Sequence, residues 1–318
     1  MPKADLAFTA LSNKGDIEER TYAGALSFLR RRYSKDLTDV DVAVVGVPFD
    51  LATTNRPGAR FGPAAIRAAS AIMAWDRPYS WDYDPRERLA IVDYGDVSFD
   101  FGKPERIPGT IEEQIAPIVA AGAAPLTLGG DHWVSLPALR AVHRRHGPLS
   151  LVHFDAHTDT WEDERGRLYN HGTMFRHAAN EGLIVPERSI QIGIRTHNPD
   201  TMGFHILDAP SVHAGGTQPV IDAVRELTAG HKVYVTFDID CLDPAFAPGT
   251  GTPVSGGLSS AQAIAILSGL AGIDIVGADV VEVAPAYDSA QMTALAAAHI
   301  GFLILGLYAE AQGRKPPA

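Results

Sequence analysis

Three short stretches of the sequence join an apolar run to side chains that bind metal ions. They are LTLGGDH (126–132), LVHFDAHTD (151–159) and VYVTFDID (233–240). The candidate ligands are two imidazoles and four carboxylates: His132, Asp155, His157, Asp159, Asp238 and Asp240. Residues two apart in an extended chain point to the same side, so the D-x-H-x-D and D-x-D spacings direct their ligands together. The set suits two divalent ions that share carboxylates, and it indicates a hydrolase.

Each motif also has an interpretation without a metal. His132 could cap the helix that follows it, the D-x-H-x-D motif could be a polar loop, and the D-x-D motif could be an Asx-turn ahead of Asp243-Pro244. A shared metal site is favoured because carboxylates gathered at strand ends repel one another unless cations neutralise them. Ligands that are mostly oxygen, with one imidazole per ion, favour Mn²⁺ over Zn²⁺ or Mg²⁺.

The elements that must position these residues alternate between strands and helices. The strand-like runs are 40–49, 89–96, 124–130, 149–155, 189–195, 232–238 and 274–283. The helix-like segments are 63–71, 110–121, 135–145, 173–181, 217–229, 259–270 and 289–310, with start signals at Thr110 and Ser259. Because the strands are apolar throughout, both faces of the sheet should be covered. We predict one doubly wound three-layer α/β/α domain with a mostly parallel sheet over residues 39–318, after an N-terminal extension over residues 1–38. Ligands bind beyond the carboxyl ends of such strands, where all three motifs fall.

Composition narrows the class of protein further. The net charge of −11 argues against nucleic acid and anionic membrane as partners and suits a cationic substrate. A single cysteine, Cys241, cannot form an internal disulfide, which favours a cytoplasmic location, and we assign it no role. The N-terminus has no apolar signal segment, and the apolar stretch 294–309 is expected to be a buried helix. His153 is expected to be a satisfied core residue.

Six longer motifs carry a resemblance to a known family. They are GARFGPAAIR (58–67), LGGDH (128–132), FDAHTDT (154–160), NHGTMF (170–175), FDIDCLDPAFAPGTGTP (237–253) and DVVEVAPAYD (279–288). From residue 46 to the C-terminal helix, the chain resembles the ureohydrolases, the arginase family, and within them it is most similar to bacterial agmatinases. The stretch WDYDPRERLAIVDYGD (81–96) is similar to that branch rather than to the arginase branch.

The resemblance implies a reaction and a role for each motif residue. It implies two manganese ions per subunit and a bridging hydroxide that attacks the guanidinium carbon of agmatine, giving putrescine and urea. By this resemblance His132 and Asp159 bind one ion, His157 and Asp240 bind the other, and Asp155 and Asp238 bridge both. Asp159 would also pass a proton to the departing amine. His171 matches the family's proton shuttle, and Glu282 matches the carboxylate that grips the guanidinium.

Glu282 can also be assessed without the family. It ends a valine-rich strand, where a glutamate is rarely buried without a partner. A guanidinium offers a planar fork of donors that matches a carboxylate. An internal ion pair with Arg195 is the alternative partner.

The loop TWEDERGRLYN (160–170) bears on the choice of substrate. Its acidic residues, Glu162, Asp163 and Glu164, would disfavour a substrate carboxylate and favour an ammonium tail, and Trp161 is a candidate substrate contact. Alternatively, these carboxylates point to solvent and pair with Arg165 and Arg167.

Other function classes remain open at this point. A guanidinobutyrase or another amidinohydrolase would use the same chemistry, with arginase less favoured. A non-catalytic metal- or guanidine-binding protein could keep the fold, but no expected ligand is missing. A deacetylase on a related fold would use a single zinc, which the full ligand set argues against. The family also implies a homo-oligomer, a trimer or a hexamer of paired trimers.

Overall fold

The computed structural model describes residues 13, 21–163 and 169–313, and a parallel sheet forms its centre. In this part of the chain the sheet has nine strands in the order β1-β3-β2-β4-β9-β8-β5-β6-β7. The strands are β1 (Arg32–Tyr33), β2 (Val42–Val47), β3 (Ile91–Asp96), β4 (Ala124–Gly129), β5 (Ser150–Phe154), β6 (Ile190–Ile194), β7 (His205–Asp208), β8 (Val233–Asp238) and β9 (Ile275–Val281). All the pairings between these strands are parallel.

Helices cover both faces of the sheet. They are α1 (Gly62–Ser70), α2 (Pro85–Arg88), α3 (Ile107–Ala120), α4 (Ser135–His146), α5 (Met174–Asn180), α6 (Ala209–Gly215), α7 (Gln218–Thr228), α8 (Ser260–Gly269) and α9 (Met292–Ala311). Residues of α1, α7, α8 and α9 belong to one apolar cluster, and residues of α3, α4 and α5 belong to another. The prediction of a doubly wound, three-layer α/β/α fold is therefore confirmed.

All seven predicted strands and all seven predicted helices are present, and the two strands that were missed lie at the edges of the sheet. The central strands β2, β5, β6, β8 and β9 are buried along their whole length, which explains their continuous Val and Ile content. The edge strands β1 and β7 are short and partly exposed. They contain no apolar run that would have identified them.

The described part of the N-terminal segment packs on the sheet. Phe28 and Leu29 are fully buried, and the amide of Phe28 donates to the carboxylate of Asp93 at 2.7 Å. Strand β1 pairs with β3 in the register Arg32↔Val92. Residues 28–31 are thus buried and residues 32–33 extend the sheet, while the domain boundary at residue 38 stays a prediction.

The two predicted helix starts, at Ser259 and Thr110, had different outcomes. Ser259 forms a capping box with Gln262 at the start of α8, as expected. The prediction for Thr110 was wrong, because α3 begins earlier, at Ile107. The hydroxyl of Thr110 donates to the carbonyl oxygen of Arg106 at 3.0 Å, one turn back in the chain, so it cannot cap the helix start.

The C-terminal helix is the apolar element expected from the sequence. Within the described residues, Ser289–Ala311 is the one helical stretch with the length and composition of a membrane span, and most of it is buried inside the protein. Leu303, Leu305 and Leu307 of α9 are completely buried. It is a core helix of the layer that covers one face of the sheet.

Four neighbouring strands in the middle of the sheet, β4, β9, β8 and β5, end at the same edge. The candidate ligands and Glu282 follow directly from these ends. The LGGDH motif needs a glycine at position 130, because a Cβ there would lie 1.7 Å from the carbonyl oxygen of Phe49. The Asp131 amide instead donates to that oxygen at 2.8 Å, which brings the loop after β2 against the loop after β4.

Candidate metal centre

The buried part of the centre gathers around the imidazole of His132. Its Nδ1 lies 3.0 Å from Oδ2 of Asp155, 2.9 Å from Oδ2 of Asp159 and 3.2 Å from Oδ2 of Asp238. We call His132, Asp159 and Asp238 the deep set. Their side chains are almost completely buried, with exposures of 1%, 6% and 4%. Asp159 takes a left-handed backbone conformation, with φ of 51°, which is uncommon for a residue other than glycine.

A second group lies beside the deep set, and its histidine is 18% exposed whereas its aspartate is completely buried. Nδ1 of His157 lies 3.2 Å from Oδ1 of Asp155 and 3.1 Å from Oδ2 of Asp240. We call His157 and Asp240 the outer set. Asp155 turns one carboxylate oxygen toward each histidine, so it belongs to both sets. The six candidate ligands are thus brought together as the sequence predicts.

The Asx-turns that competed with the metal interpretation are present and compatible with it. Oδ1 of Asp155 accepts the amide of His157 at 2.6 Å, and Oδ1 of Asp238 accepts the amide of Asp240 at 2.8 Å. In each case the other oxygen, Oδ2, faces His132. The turns fix the carboxylates and leave an oxygen free to face the centre.

Hydrogen bonds behind His132 fix its tautomer. Nε2 of His132 lies 2.8 Å from the hydroxyl of Thr236, which donates to Oδ1 of Asp279 at 2.5 Å. The other oxygen of Asp279 accepts from Ser135 and Tyr234, at 2.7 and 2.8 Å. Because the Thr236 hydroxyl donates its proton to Asp279, its oxygen accepts from Nε2–H of His132. Nδ1 then presents a lone pair to the deep set, as a metal ligand must.

Hydrogen bonds also fix the tautomer of His153, which donates to Asp155. The amide of Gln191 donates to the carbonyl of Thr158 at 2.7 Å, so the atom of Gln191 that meets Nδ1 of His153 at 3.1 Å is its nitrogen. Nδ1 of His153 must therefore accept, and its Nε2–H donates to Oδ2 of Asp155 at 2.7 Å. His153 is a satisfied core residue, as expected, although it lies close enough to the deep set to be mistaken for a ligand.

The electrostatics of the centre fit a divalent cation. Burial, followed by the repulsion of neighbouring carboxylates, raises the pKa of Asp238 well above its ordinary value. Burial and Asp155 likewise raise the pKa of Asp159. Nδ1 of His132 is buried among three carboxylate oxygens without a well-aligned hydrogen bond to any of them. Divalent cations among these ligands would remove the repulsion between the carboxylates.

Glu282 and His171 form a buried pair next to the centre. Oε1 of Glu282 accepts from Nδ1 of His171 and from the backbone amide of His132, both at 2.8 Å. Oε2 is buried and has no hydrogen-bond partner in the described residues. The expected alternative, an ion pair with Arg195, is not formed, because that guanidinium donates to backbone carbonyls instead, among them those of Asp240 and Val254.

His171 is polarised by the carboxylates around it. Its burial acts to lower its pKa, but Glu282, Asp131 and Asp159 together outweigh that effect and raise the pKa of His171 to about 9. On its other side, Nε2 meets the hydroxyl of Thr54 at 2.8 Å. His171 therefore connects Glu282 to the cavity.

A cavity of about 240 Å³ borders members of both sets. Its lining residues are Thr54, His157, Asp159, Trp161, Asn170, His171, Gly172, Asp238 and Thr252. The predicted substrate contact Trp161 is part of this wall, with its ring centroid 6.3 Å from that of His157. Glu282 is not among these lining residues, and its Oε1 accepts from Nδ1 of His171, which is.

The acidic loop differs from the expectation. Glu162 and Asp163 are exposed and do not line the cavity, and Asp163 pairs with His177 at 2.6 Å. The expected alternative partners Arg165 and Arg167, together with Glu164, lie outside the described residues. The aromatic ring of Trp161, rather than these two carboxylates, is the loop's contribution to the wall.

Sequence reasoning did not single out four residues of the wall, Thr54, Asn170, Gly172 and Thr252, or the support behind the ligands. Thr54 lies in the loop after β2, and Thr252 accompanies Asp240, to which its hydroxyl donates at 3.2 Å. The position of Thr54 after a central strand was a usable signal, but threonine is too common in loops to mark a site. Asp279 gave no signal of its own, because it lies inside β9, the strand that Glu282 follows.

Comparison with known proteins agrees with this architecture. The sequence model of the arginase family matches residues 40–306. An agmatinase from Chromobacterium violaceum is 56% identical over 287 residues, which are 90% of this chain and 89% of that protein. The crystal structure of a hypothetical agmatinase from Burkholderia thailandensis superposes with a TM-score of 0.95 at 53% identity, covering 98% of this chain and 99% of the other. Proclavaminate amidino hydrolase from Streptomyces clavuligerus superposes with a TM-score of 0.86 at 39% identity, covering 92% and 100%. The chain belongs to the arginase family.

Proposed function

We propose that this protein is an agmatinase, which hydrolyses agmatine to putrescine and urea. The observation that carries the proposal is the convergence of two imidazoles and four carboxylates at the ends of neighbouring strands, beside a buried glutamate with an unpaired oxygen. Relatives named agmatinase, at about half identity over most of the chain, support the same activity. The reaction breaks one C–N bond of a linear amidine with water.

Two manganese ions per chain are the proposed cofactor. His132 and Asp159 would hold one, His157 and Asp240 the other, with Asp155 and Asp238 shared between them. Asp155 supports this division most directly, because its two oxygens face the two histidines separately. When bound, such a metal pair supplies Lewis acidity and a water whose pKa is lowered toward neutrality.

The remaining residues orient the substrate and move protons. The unpaired Oε2 of Glu282 would accept hydrogen bonds from the guanidinium, and a glycine at 251 keeps the approach open, since a Cβ there would lie 3.2 Å from this oxygen. Asp159, in the cavity wall, would donate a proton to the departing amine nitrogen. His171 would exchange protons between the reacting groups and solvent.

The cavity favours a substrate without a carboxylate tail. Among its lining residues in the described chain there is no lysine or arginine, and the carboxylates of Asp159 and Asp238 face the same space. A substrate carboxylate would therefore find no counter-ion among these side chains. The face of Trp161 can stabilise the ammonium of agmatine.

The proposal extends to the setting of the enzyme. The net charge of −11 suits a cationic small molecule and not nucleic acid or an anionic membrane. We propose a cytoplasmic location, since a chain with one buried cysteine needs no oxidising compartment. We also propose a homo-oligomer, a trimer or hexamer, as the family resemblance implies.

A substrate panel tests this function. Manganese-loaded protein is assayed for urea release from agmatine, 4-guanidinobutyrate and arginine under identical conditions. We expect kcat/KM for agmatine to exceed the other values by at least about 100-fold, because one unfavourable buried charge contact costs a few kcal/mol. Faster release from 4-guanidinobutyrate would make the protein a guanidinobutyrase. An absence of urea from every compound, at full manganese occupancy, would leave only a binding role.

A further inference from the structure

We propose that Thr54 is a positioning residue that holds His171 with Nε2 as its proton-accepting nitrogen. The inference rests on the proposed function, in which His171 carries a proton during hydrolysis. Thr54 has no obvious chemistry of its own. It lies in the loop after β2 and is exposed at the cavity, whereas His171 is only 8% exposed.

The backbone amide of Thr54 decides which nitrogen of His171 lacks a proton. This amide points at Nε2 over 3.2 Å, and a backbone N–H can only donate. In the neutral ring, Nε2 therefore offers its lone pair, and the ring proton is on Nδ1. That proton is donated to Oε1 of Glu282 at 2.8 Å. Glu282 and Thr54 thus select the same neutral tautomer from opposite sides of the ring.

The hydroxyl of Thr54 can serve both protonation states. It lies 2.8 Å from Nε2 and can donate to the neutral ring. When Nε2 takes up a proton, the hydroxyl can rotate and accept from the new N–H, because a threonine oxygen is both donor and acceptor. The amide cannot reverse in this way. The hydroxyl is consequently the group that keeps the ring in place while the proton arrives and leaves.

The charges around His171 explain why such a device is useful. Glu282, Asp131 and Asp159 all favour the protonated ring, and a ring that keeps its proton cannot act as a shuttle. The amide of Thr54 opposes them, because an N–H aimed at Nε2 stabilises only the neutral form. The amide thus works against the three carboxylates, while the pKa of His171 stays raised, at about 9.

The loop is anchored firmly enough to hold this geometry. Oδ2 of Asp131 accepts the amide of Ala52 at 2.8 Å, and Oδ2 of Asp50 accepts the amide of Gly58 at 2.9 Å. The side chain of Asn55 donates to the carbonyl of Gly251 at 3.1 Å. Contacts before, beside and after Thr54 thus fix the backbone that carries its amide.

The test removes the hydroxyl and keeps the amide and the branched shape. Thr54→Val should lower kcat for urea release about 10- to 100-fold, part of the usual contribution of general acid–base catalysis, while KM and manganese content stay within about twofold. Thr54→Ser should recover kcat to within about threefold. Thr53→Val is the matched control, because the Thr53 hydroxyl bonds only the carbonyl of Asp50, at 3.0 Å, and its loss should leave kcat unchanged.

A double-mutant cycle shows whether Thr54 acts through His171. In a His171→Ala background, adding Thr54→Val should cost less than about twofold, because the group it positions is gone. An equal loss in both backgrounds, or a valine variant as active as wild type, would overturn the proposal.

Crystal structures of wild type and Thr54→Val separate this inference from the proposed function. If wild type releases urea from no guanidino compound, the proposed function fails. A His171 ring turned away from position 54 in the valine variant would still support the role of Thr54, and an unmoved ring would refute it.

Discussion

The deep and outer sets differ in how much of the protein supports them. The His132 side chain is 1% exposed, and its far nitrogen is held by Thr236 and Asp279. The His157 side chain is 18% exposed and forms part of the cavity wall. One histidine is fixed by buried hydrogen bonds, and the other borders the space where substrate would enter. From this difference we predict that the deep set would retain an ion more firmly than the outer set.

Asp155 joins the two sets, so its replacement should have the largest effect. Asp155→Asn removes the charge that both sites share and leaves an amide NH₂ facing a histidine. We expect loss of both ions and a fall in kcat/KM of at least about 10⁴-fold, or roughly 5 kcal/mol of transition-state stabilisation. Elemental analysis of manganese per chain and urea release measure the two effects. Asp163→Asn, on an exposed carboxylate paired with His177, is the control and should keep both ions.

Replacing each histidine in turn should expose the difference between the sets. His157→Ala is expected to keep about one ion per chain and to leave the melting temperature of the metal-free protein nearly unchanged. His132→Ala should lose the deep ion and destabilise the metal-free fold by about 2 kcal/mol or more, because Thr236 loses a buried partner. Metal content and thermal unfolding of both variants provide the comparison. Equal unfolding free energies for the two variants would remove the distinction between deep and outer sets.

The hydroxyl behind His132 should matter less than the ligands and still measurably. Thr236→Val keeps the side-chain shape and removes the acceptor that orients the imidazole. We expect the affinity for the deep manganese to fall about 10- to 100-fold, the usual cost of losing an outer hydrogen-bond partner of a metal ligand. Manganese titration by calorimetry measures it, and Thr236→Ser should restore most of the affinity. Serine behaving like valine would point to packing rather than orientation.

The sequence predicted that the six candidate ligands lie together because their signals are local. Asp155, His157 and Asp159 follow a buried strand at alternate positions, and parallel strands end at one edge, so their meeting with Asp238 follows from the fold class. The central strands were equally visible as Val- and Ile-rich runs. Strands β1 and β7 were not, because an edge strand is identified by its partner rather than by its own composition.

Contacts between residues that are far apart in the chain could not be predicted from the sequence. Thr54 meets His171 across 117 positions, and the Gln191 amide determines the tautomer of His153 across 38. Neither pair has a recognisable spacing. The acidic loop shows the opposite error, since Glu162 and Asp163 looked functional in sequence and lie outside the cavity wall. The position of a charged residue next to a motif does not determine whether its side chain points into the site.

The smallest expected effect on manganese affinity is at the outer set, where Thr252 is the counterpart of Thr236. Thr252 donates to Oδ2 of Asp240 at 3.2 Å, and it lines the open cavity, where water can replace the lost hydrogen bond. Thr252→Val should therefore weaken the outer manganese by less than about threefold, against 10-fold or more for Thr236→Val. The same calorimetric titration measures both variants. Similar losses at the two threonines would mean that burial does not govern how strongly each set is supported, and the prediction that the deep set retains its ion more firmly would have to be abandoned.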